Sequence, residues 1–107
     1  GLKVPHQVQS ASEVADILLH RSRANTGVLL TVPIPIEAEL DATQLDSVLA
    51  QALIDCEAAG IRGAAVTPFV LGRIGEATQG RSVPANLALA ENNARVAAQV
   101  AVAIADR

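Results

Sequence analysis

The stretch VLLTVPIP, residues 28–35, decides the fold class of this chain. Its first five residues are a short apolar run rich in β-branched side chains, which is typical of a strand buried on both faces in a helix-covered sheet. Pro33 and Pro35 follow directly, and two prolines with one residue between them cannot continue a sheet ladder. The stretch therefore predicts a buried strand that ends in a stiff loop, at the edge where ligands gather in open α/β sheets.

No second strand of comparable quality is present, because the hydrophobic spacing elsewhere in the sequence predicts four helices. A lone strand would leave its backbone N–H and C=O groups without partners. Two interpretations follow: the chain is a small helical bundle, or its sheet is completed by residues absent from this chain. We favour the second, because an apolar run that ends in Pro-Ile-Pro is poorly suited to a helix.

Capping signals define the first two predicted helices. Residues 10–13, SASE, have the spacing of a capping box, in which the serine hydroxyl and the glutamate carboxylate satisfy free backbone N–H groups. We expect a helix from there to about Arg23. A second capping box, DATQ at residues 41–44, begins a helix that Gly60 terminates.

The capping signals of the third and fourth helices are weaker. Thr67 followed by Pro68 predicts the N-cap and the first residue of the third helix. Gly72 and Gly75 fall inside that helix, and each costs about 1 kcal/mol relative to alanine. They therefore predict the close approach of another backbone or of a ligand. Ser82 is the predicted cap of the fourth helix, which should run almost to the end of the chain.

The composition limits the class of protein. A chain of 107 residues normally forms one domain with a core, and half of these residues are apolar. Phe69 is the only aromatic residue, and the net charge of −3 arises without a basic patch, which argues against nucleic-acid binding. Cys56 is the only cysteine, and neither a signal peptide nor an apolar run of roughly 18 residues is present. A soluble, cytoplasmic protein is expected.

Few side chains have a recognisable chemical role. His6 and His20 have no cysteine or histidine at ligand spacing, so no metal site built from this chain alone is predicted. The serines lack a nucleophile motif, and there is no glycine-rich phosphate loop. A short acidic run follows the prolines, and a solvated loop with an N-cap explains it better than a pair of acid–base carboxylates. That run comprises Glu37, Glu39 and Asp41.

Three asparagines interrupt the apolar helix PANLALAENNARVAAQVAVAIA, residues 84–105. At about 100° per residue, Asn86 and Asn93 share one side of the helix, and Asn92 lies on the adjacent side. An amide on an apolar side must be hydrogen-bonded, at a cost of about 1–3 kcal/mol if it is not. Either the amides bind the backbone of neighbouring loops, which the spacing alone favours, or one of them faces a pocket and binds a planar polar ligand.

The order of these motifs resembles a known family. VPIP after an apolar strand, then GIRGAAVTPFVLGRIGEATQGRS, then the asparagine-bearing helix, is similar to the C-terminal third of the pseudouridine-5'-phosphate glycosidase family. This family is also called indigoidine synthase A-like. The similarity covers the whole chain, including GLKVPHQVQSASEVADIL at its start. Residues 1–107 are therefore expected to be one segment, the C-terminal part of such a domain.

The resemblance implies an α/β/α sandwich, to which this chain gives a helix-rich part with one or two short strands, and a homotrimer. It implies reversible cleavage of the C-glycosidic bond of pseudouridine 5'-phosphate to uracil and ribose 5-phosphate. In the family a lysine forms a Schiff base, a glutamate moves protons and an aspartate holds Mn²⁺ through waters, all in the N-terminal two-thirds. We therefore expect no catalytic and no metal-binding residue here, and an inactive chain without the rest of the polypeptide.

The resemblance also carries over a small set of site residues. Asn86 matches the asparagine that contacts the base in the family, so it is the predicted substrate-binding residue. The residues predicted to support it are Asn92, Asn93, Thr67, Pro33 and Pro35.

One departure from the family pattern keeps other functions open. Val32 stands where the family usually has an asparagine before Pro-Ile-Pro. A more apolar pocket favours a more apolar ring, so one alternative is a C-glycosynthase that joins ribose 5-phosphate to a larger aromatic aglycone. Another alternative is a non-catalytic helical interaction module.

Overall fold

The computed structural model describes residues 3–23 and 25–107, and in these residues it contains helices and no strand. The chain divides into two compact units: the first unit is Gly1–Pro33 with Glu91–Arg107, and the second unit is Ile34–Ala90. The predicted helix-rich character is confirmed. The α-helices are α1 (Ala11–His20), α2 (Ala42–Ala58), α3 (Val66–Ala77) and α4 (Ser82–Ala105), and two short 3-10 turns occupy Ile36–Ala38 and Gly63–Ala65.

The strand predicted at residues 28–32 is not formed in the part of the chain that the structure describes. These residues are irregular, and Val28 and Leu29 are 46% and 89% exposed. A strand needs a second strand to pair with its N–H and C=O groups, and the described segments provide none. The prediction of one or two strands within this chain, buried on both faces, is therefore wrong for these residues.

Helix α1 begins at the predicted capping box. The Oγ of Ser10 accepts a hydrogen bond from the N–H of Glu13 at 3.2 Å, and the Glu13 carboxylate accepts one from the N–H of Gln9 at 2.7 Å. The reciprocal bond is thus made one residue before the N-cap. The helix ends at His20, a few residues earlier than predicted, because Arg21 is extended and its guanidinium donates to a carbonyl oxygen of the last turn.

Both predicted ends of α2 are confirmed. The carboxylate of Asp41 accepts a hydrogen bond from the N–H of Thr43 at 2.9 Å, which satisfies a free donor of the first turn. At the other end Gly60 has a φ of 69°, a left-handed conformation that favours glycine. The N–H of Ile61 then donates to the carbonyl oxygen of Cys56 at 3.0 Å, as in a Schellman motif.

Helix α3 begins differently from the prediction. The 3-10 turn Gly63–Ala65 leads directly into the helix, so that Val66 is its first residue and Thr67 its second. The N-cap is Ala65, which has no side-chain capping bond, and the N–H of Val66 donates to a carbonyl oxygen of the 3-10 turn. The prediction of Thr67 as N-cap and Pro68 as first residue is wrong, because a backbone turn replaces the side-chain cap. The proline still lies in the first turn, where it is tolerated.

The junction between α3 and α4 depends on Thr78, which is 1% exposed. Its Oγ1 donates to the carbonyl oxygen of Ile74 at 2.7 Å and accepts from the N–H of Ser82 at 3.2 Å. Ser82 is the first residue of α4 and not its cap, which corrects the prediction. Gln79 and Gly80 both have positive φ, 55° and 80°, so they turn the chain between the two helices.

The predicted close approach to the glycines of α3 is not seen at Gly72. A Cβ built there meets no other atom within 4 Å, and one built at Gly75 meets only the Oγ of Ser82, at 3.8 Å. Among the residues that the structure describes, Gly72 therefore has open space beside it and Gly75 has an ordinary van der Waals contact.

Packing in the second unit joins α2 to α3. Ala52 and Cys56 are 1% and 3% exposed, and small side chains of this kind let helices lie close together. The guanidinium of Arg73 lies 5.2 Å from the ring centroid of Phe69 and 4.0 Å from Asp55. Because the Arg73 side chain is 46% exposed, this ion pair adds little stability.

Large apolar side chains remain exposed on this unit. Six of them lie on three helices of the unit. They are Leu49, Leu53, Ile54, Leu71, Val83 and Leu87.

Candidate functional site

A groove in the first unit contains residues of the predicted site. It has a volume of about 270 Å³ and is partly open to solvent. This is just below the roughly 300–1,000 Å³ of typical ligand pockets, so by itself the groove encloses only part of a nucleotide-sized ligand. Its walls are the start of α1, residues 30–33 and one side of α4. The lining residues include Ser10, Val14, Thr31, Val32, Pro33, Val96 and Gln99.

Asn92 joins α4 to the wall of this groove. Its amide nitrogen donates a hydrogen bond to the carbonyl oxygen of Pro33 at 3.2 Å, across 59 positions of sequence. Its amide oxygen accepts a hydrogen bond from the guanidinium of Arg95. Asn92 and Pro33, two of the predicted supporting residues, are thus in direct contact.

The start of α1 is held by the end of the chain. The Nη2 of Arg107 donates to the backbone oxygen and to the Oγ of Ser12, both at 2.8 Å, and lies 2.8 Å from the carboxylate of Asp16. These contacts fix α1 next to the groove that its first residues line. The arginine side chain is 32% exposed and the aspartate 56%, so the electrostatic part of this contact is partly screened.

The remaining predicted site residues lie outside the lining of this groove. Asn93 is exposed on the part of α4 that belongs to the first unit. In the second unit, Asn86 is exposed on α4, Thr67 is exposed in the first turn of α3, and Pro35 is half-buried just before the 3-10 turn Ile36–Ala38. Because Asn86 faces solvent, its amide needs no partner within this chain.

Val32 is half-buried and lines the groove. The residue that departs from the family pattern therefore contributes to the wall that Asn92 and Pro33 complete. An apolar side chain at this place makes the groove less able to hydrogen-bond a ligand than an asparagine would.

Residues 3–23 and 25–107 bring together no group of three histidine, cysteine, aspartate or glutamate side chains that could hold a metal ion. Cys56 is buried and its Sγ donates to the carbonyl oxygen of Ile61 at 3.6 Å. Asp41, in the acidic run, caps α2. Nor does any helix within these ranges have the length and apolarity to cross a membrane.

Two residues of this region are not evident from composition alone. Arg95 lies three positions after Asn92, a spacing at which helical side chains meet. That spacing could have indicated the pair. Nothing in the sequence indicated the contact of Arg107 with Ser12, because it spans 95 positions and depends on how α1 lies in the first unit.

Comparison with known proteins connects this geometry to a family. A family model described as indigoidine synthase A like protein matches residues 1–103. The chain is 47% identical over 107 residues to the pseudouridine-5'-phosphate glycosidase of Paracoccus denitrificans, covering 98% of this chain and 35% of the relative. It is 44% identical to that of Herpetosiphon aurantiacus over 104 residues (97% and 34%), and 38% identical to that of Staphylococcus aureus over 106 residues (97% and 34%).

This chain spans about a third of the length of these curated relatives. The match covers nearly all of the chain, including the apolar stretch before Pro33 and the helix that carries Asn86 and Asn92. The resemblance predicted from the motifs is confirmed, and the chain belongs to the indigoidine synthase A-like protein family.

Proposed function

We propose that this chain is the C-terminal part of an enzyme that reversibly cleaves the C-glycosidic bond of pseudouridine 5'-phosphate, giving uracil and ribose 5-phosphate. The observation that carries this proposal is the identity of 38 to 47%, over almost the whole chain, to relatives named pseudouridine-5'-phosphate glycosidase. Neither the C-glycosynthase nor the non-catalytic module is favoured by those names.

Three features of the structure support a role as part of a larger domain. The groove is small and open, so a nucleotide needs further walls. Residues 28–32 have the composition of a buried strand but are irregular and largely exposed. The second unit exposes several large apolar side chains. An α/β/α sandwich whose other strands come from the rest of the polypeptide would pair residues 28–32 with a neighbouring strand. It would also cover the exposed apolar side chains of the second unit.

In this proposal the residues of the chain bind and support, and the bond-breaking groups lie elsewhere. Asn86 contacts the base, because its exposed amide is free to offer a donor and an acceptor to the edge of a pyrimidine ring. Asn92 and Pro33 support the pocket wall, as do Asn93, Thr67 and Pro35. The lysine, the proton-transferring glutamate and the metal-holding aspartate are supplied outside these 107 residues.

The resemblance also implies Mn²⁺, a homotrimer and a cytoplasmic location, and we include these in the proposal. The described residues do not fit a metal site of their own, since they assemble no group of three suitable ligands. We therefore derive no step of the reaction through the metal from this chain.

The test is an assay of pseudouridine 5'-phosphate turnover with Mn²⁺ present, in which uracil is measured by chromatography and the reverse synthesis is run in parallel. The complete protein that contains this chain should catalyse both directions, and the 107-residue chain alone should catalyse neither. Absence of turnover by the complete protein would contradict the function. Turnover by the chain alone would contradict the division of roles.

A further inference from the structure

We propose that Arg95 is a positioning residue: it orients the amide of Asn92, which in turn holds the carbonyl group of Pro33 and with it the wall of the groove. This proposal rests on the proposed function, since it assigns the wall to the substrate pocket of the complete enzyme. It adds a residue, Arg95, to which neither the family motif nor the helical periodicity gave a role.

The chemistry of the three groups permits only one arrangement. A guanidinium can only donate hydrogen bonds, and a backbone carbonyl can only accept them. The asparagine amide between them must therefore turn its oxygen to Arg95 and its nitrogen to Pro33, as the structure shows. A charged donor makes a stronger hydrogen bond than a neutral one, so Arg95 is the partner that fixes the amide.

Regular secondary structure does not fix the carbonyl group of Pro33, which Asn92 holds. Pro33 follows the irregular residues 28–32 and belongs to no helix or strand. Thr31, Val32 and Pro33 all line the groove, and Val96, one turn after Asn92 on the same helix, lines it as well. The hydrogen bond at 3.2 Å thus connects the wall formed by residues 30–33 to helix α4, which forms another wall of the groove.

If the hydrogen bond between Arg95 and Asn92 were only structural, removing it would change the stability of the fold alone. If it positions the wall of the groove, removing it should also weaken substrate binding. Arg95 is exposed, so replacing it removes little packing. If the hydrogen bond from Asn92 to Pro33 is lost, the wall is no longer held in place. The substrate and the transition state then lose the same contacts, so that KM rises while kcat is retained. We expect a rise in KM of roughly five- to tenfold, the effect of one weakened hydrogen bond.

The hydrogen bond from Asn92 to the carbonyl oxygen of Pro33 can be followed by NMR. The protein is labelled with ¹³C at the carbonyl carbon of proline and with ¹⁵N in isoleucine. Only a proline that directly precedes an isoleucine then gives a signal, and in this chain that occurs at residues 33–34 and 35–36. The complete protein is used, and the variants Ile34→Val and Ile36→Val assign the two signals. Loss of the hydrogen bond should move the Pro33 carbonyl carbon upfield, and Pro35 serves as the internal reference.

Four variants separate the alternatives. Arg95→Ala should move the Pro33 signal and raise KM for pseudouridine 5'-phosphate, and Asn92→Asp should do the same because a carboxylate cannot donate to the carbonyl oxygen. Arg95→Lys should stay close to the parent protein, since an ammonium group also donates to the amide oxygen. Glu91→Ala is the control, because it removes an exposed charged side chain one position before Asn92. It should change neither the Pro33 signal nor KM.

An unmoved Pro33 signal in Arg95→Ala would overturn the proposal, and so would an equal shift in Glu91→Ala. A shifted signal with unchanged KM would overturn the positioning role as well. If the complete protein shows no turnover at all, the proposed function fails, and the NMR signals alone still decide whether Arg95 holds the wall.

Discussion

The two units of this chain are stabilised by different kinds of contact. In the second unit the side-chain hydrogen bonds are local: Asp41 caps the helix that it precedes, and Thr78 bonds residues four positions away on either side. In the first unit the important bonds connect distant parts of the sequence, with Asn92 and Pro33 59 positions apart and Arg107 and Ser12 95 positions apart. A local bond can form as soon as its helix forms, whereas a distant bond forms only after the chain has folded back.

The second unit is therefore organised mainly by hydrogen bonds between residues close in sequence, and the groove of the first unit by hydrogen bonds between distant residues. Function should therefore be separable from folding in the second unit, and less so in the first. Three substitutions test this contrast.

The largest effect is expected from Asn86→Ala in the complete protein. Because Asn86 is proposed to bind the base, loss of its amide should lower turnover of pseudouridine 5'-phosphate by about 10- to 100-fold. The free energy of unfolding should hardly change, because the side chain is exposed in the second unit. Steady-state kinetics and thermal unfolding of the same samples measure the two effects. A lower melting temperature with turnover intact would show that the amide is structural.

Thr78→Val should cause the next largest change, this time in stability. The substitution keeps the shape of a side chain that is 1% exposed but leaves the Ser82 N–H without its partner, and the Ile74 carbonyl oxygen keeps only the backbone N–H of residue 78. We expect a loss of about 2 kcal/mol in the free energy of unfolding, measured by urea titration.

Thr67→Val is the matched control for that substitution, because Thr67 is exposed in the first turn of α3 and does not cap it. It should change the free energy of unfolding by no more than about 0.5 kcal/mol. A similar loss in both variants would show that Thr67 is, after all, the cap of α3.

Arg107→Ala should have the smallest effect. It removes the contacts with Ser12 and Asp16, but the charges are partly exposed, so the loss should be only about 0.5 kcal/mol. Asp106→Ala, at the adjacent exposed position, is the control. The difference between the two variants in urea unfolding should shrink at high salt, which screens the ion pair. A difference that is independent of salt would mean that the hydrogen bonds to Ser12 account for the whole effect.

The parts of the structure that could be predicted from the sequence are those that a few adjacent residues determine. The start of α1 at Ser10 and both ends of α2, at Asp41 and Gly60, agree with their capping signals. Thr67 misled the prediction because a 3-10 turn of glycine and alanine, which has no strong signature, supplies the bonds that a cap would make. Thr78 was missed because its role depends on two helices meeting, although each of its bonds is short in sequence.

The candidate site divides in the same way. The motifs around Asn86, Asn92 and Pro33 were enough to place the chain in its family, and the comparison with curated relatives confirmed this. That Asn92 bonds Pro33, and that Val32 lines the same groove, required coordinates. The spacing of asparagines around a helix tells which side each amide faces, but not which loop lies opposite.

Four features could be predicted from the amino-acid sequence: both ends of α2, the start of α1, the high helix content and the family. These follow from backbone donors and acceptors that must be satisfied within one turn, and from a linear order of motifs. The folded structure was needed to show that residues 28–32 are irregular without a second strand, and that Asn92 bonds Pro33 while Asn86 faces solvent. The physical reason is that a ladder or a long-range hydrogen bond needs a partner from elsewhere, and only the folded chain shows whether it is present.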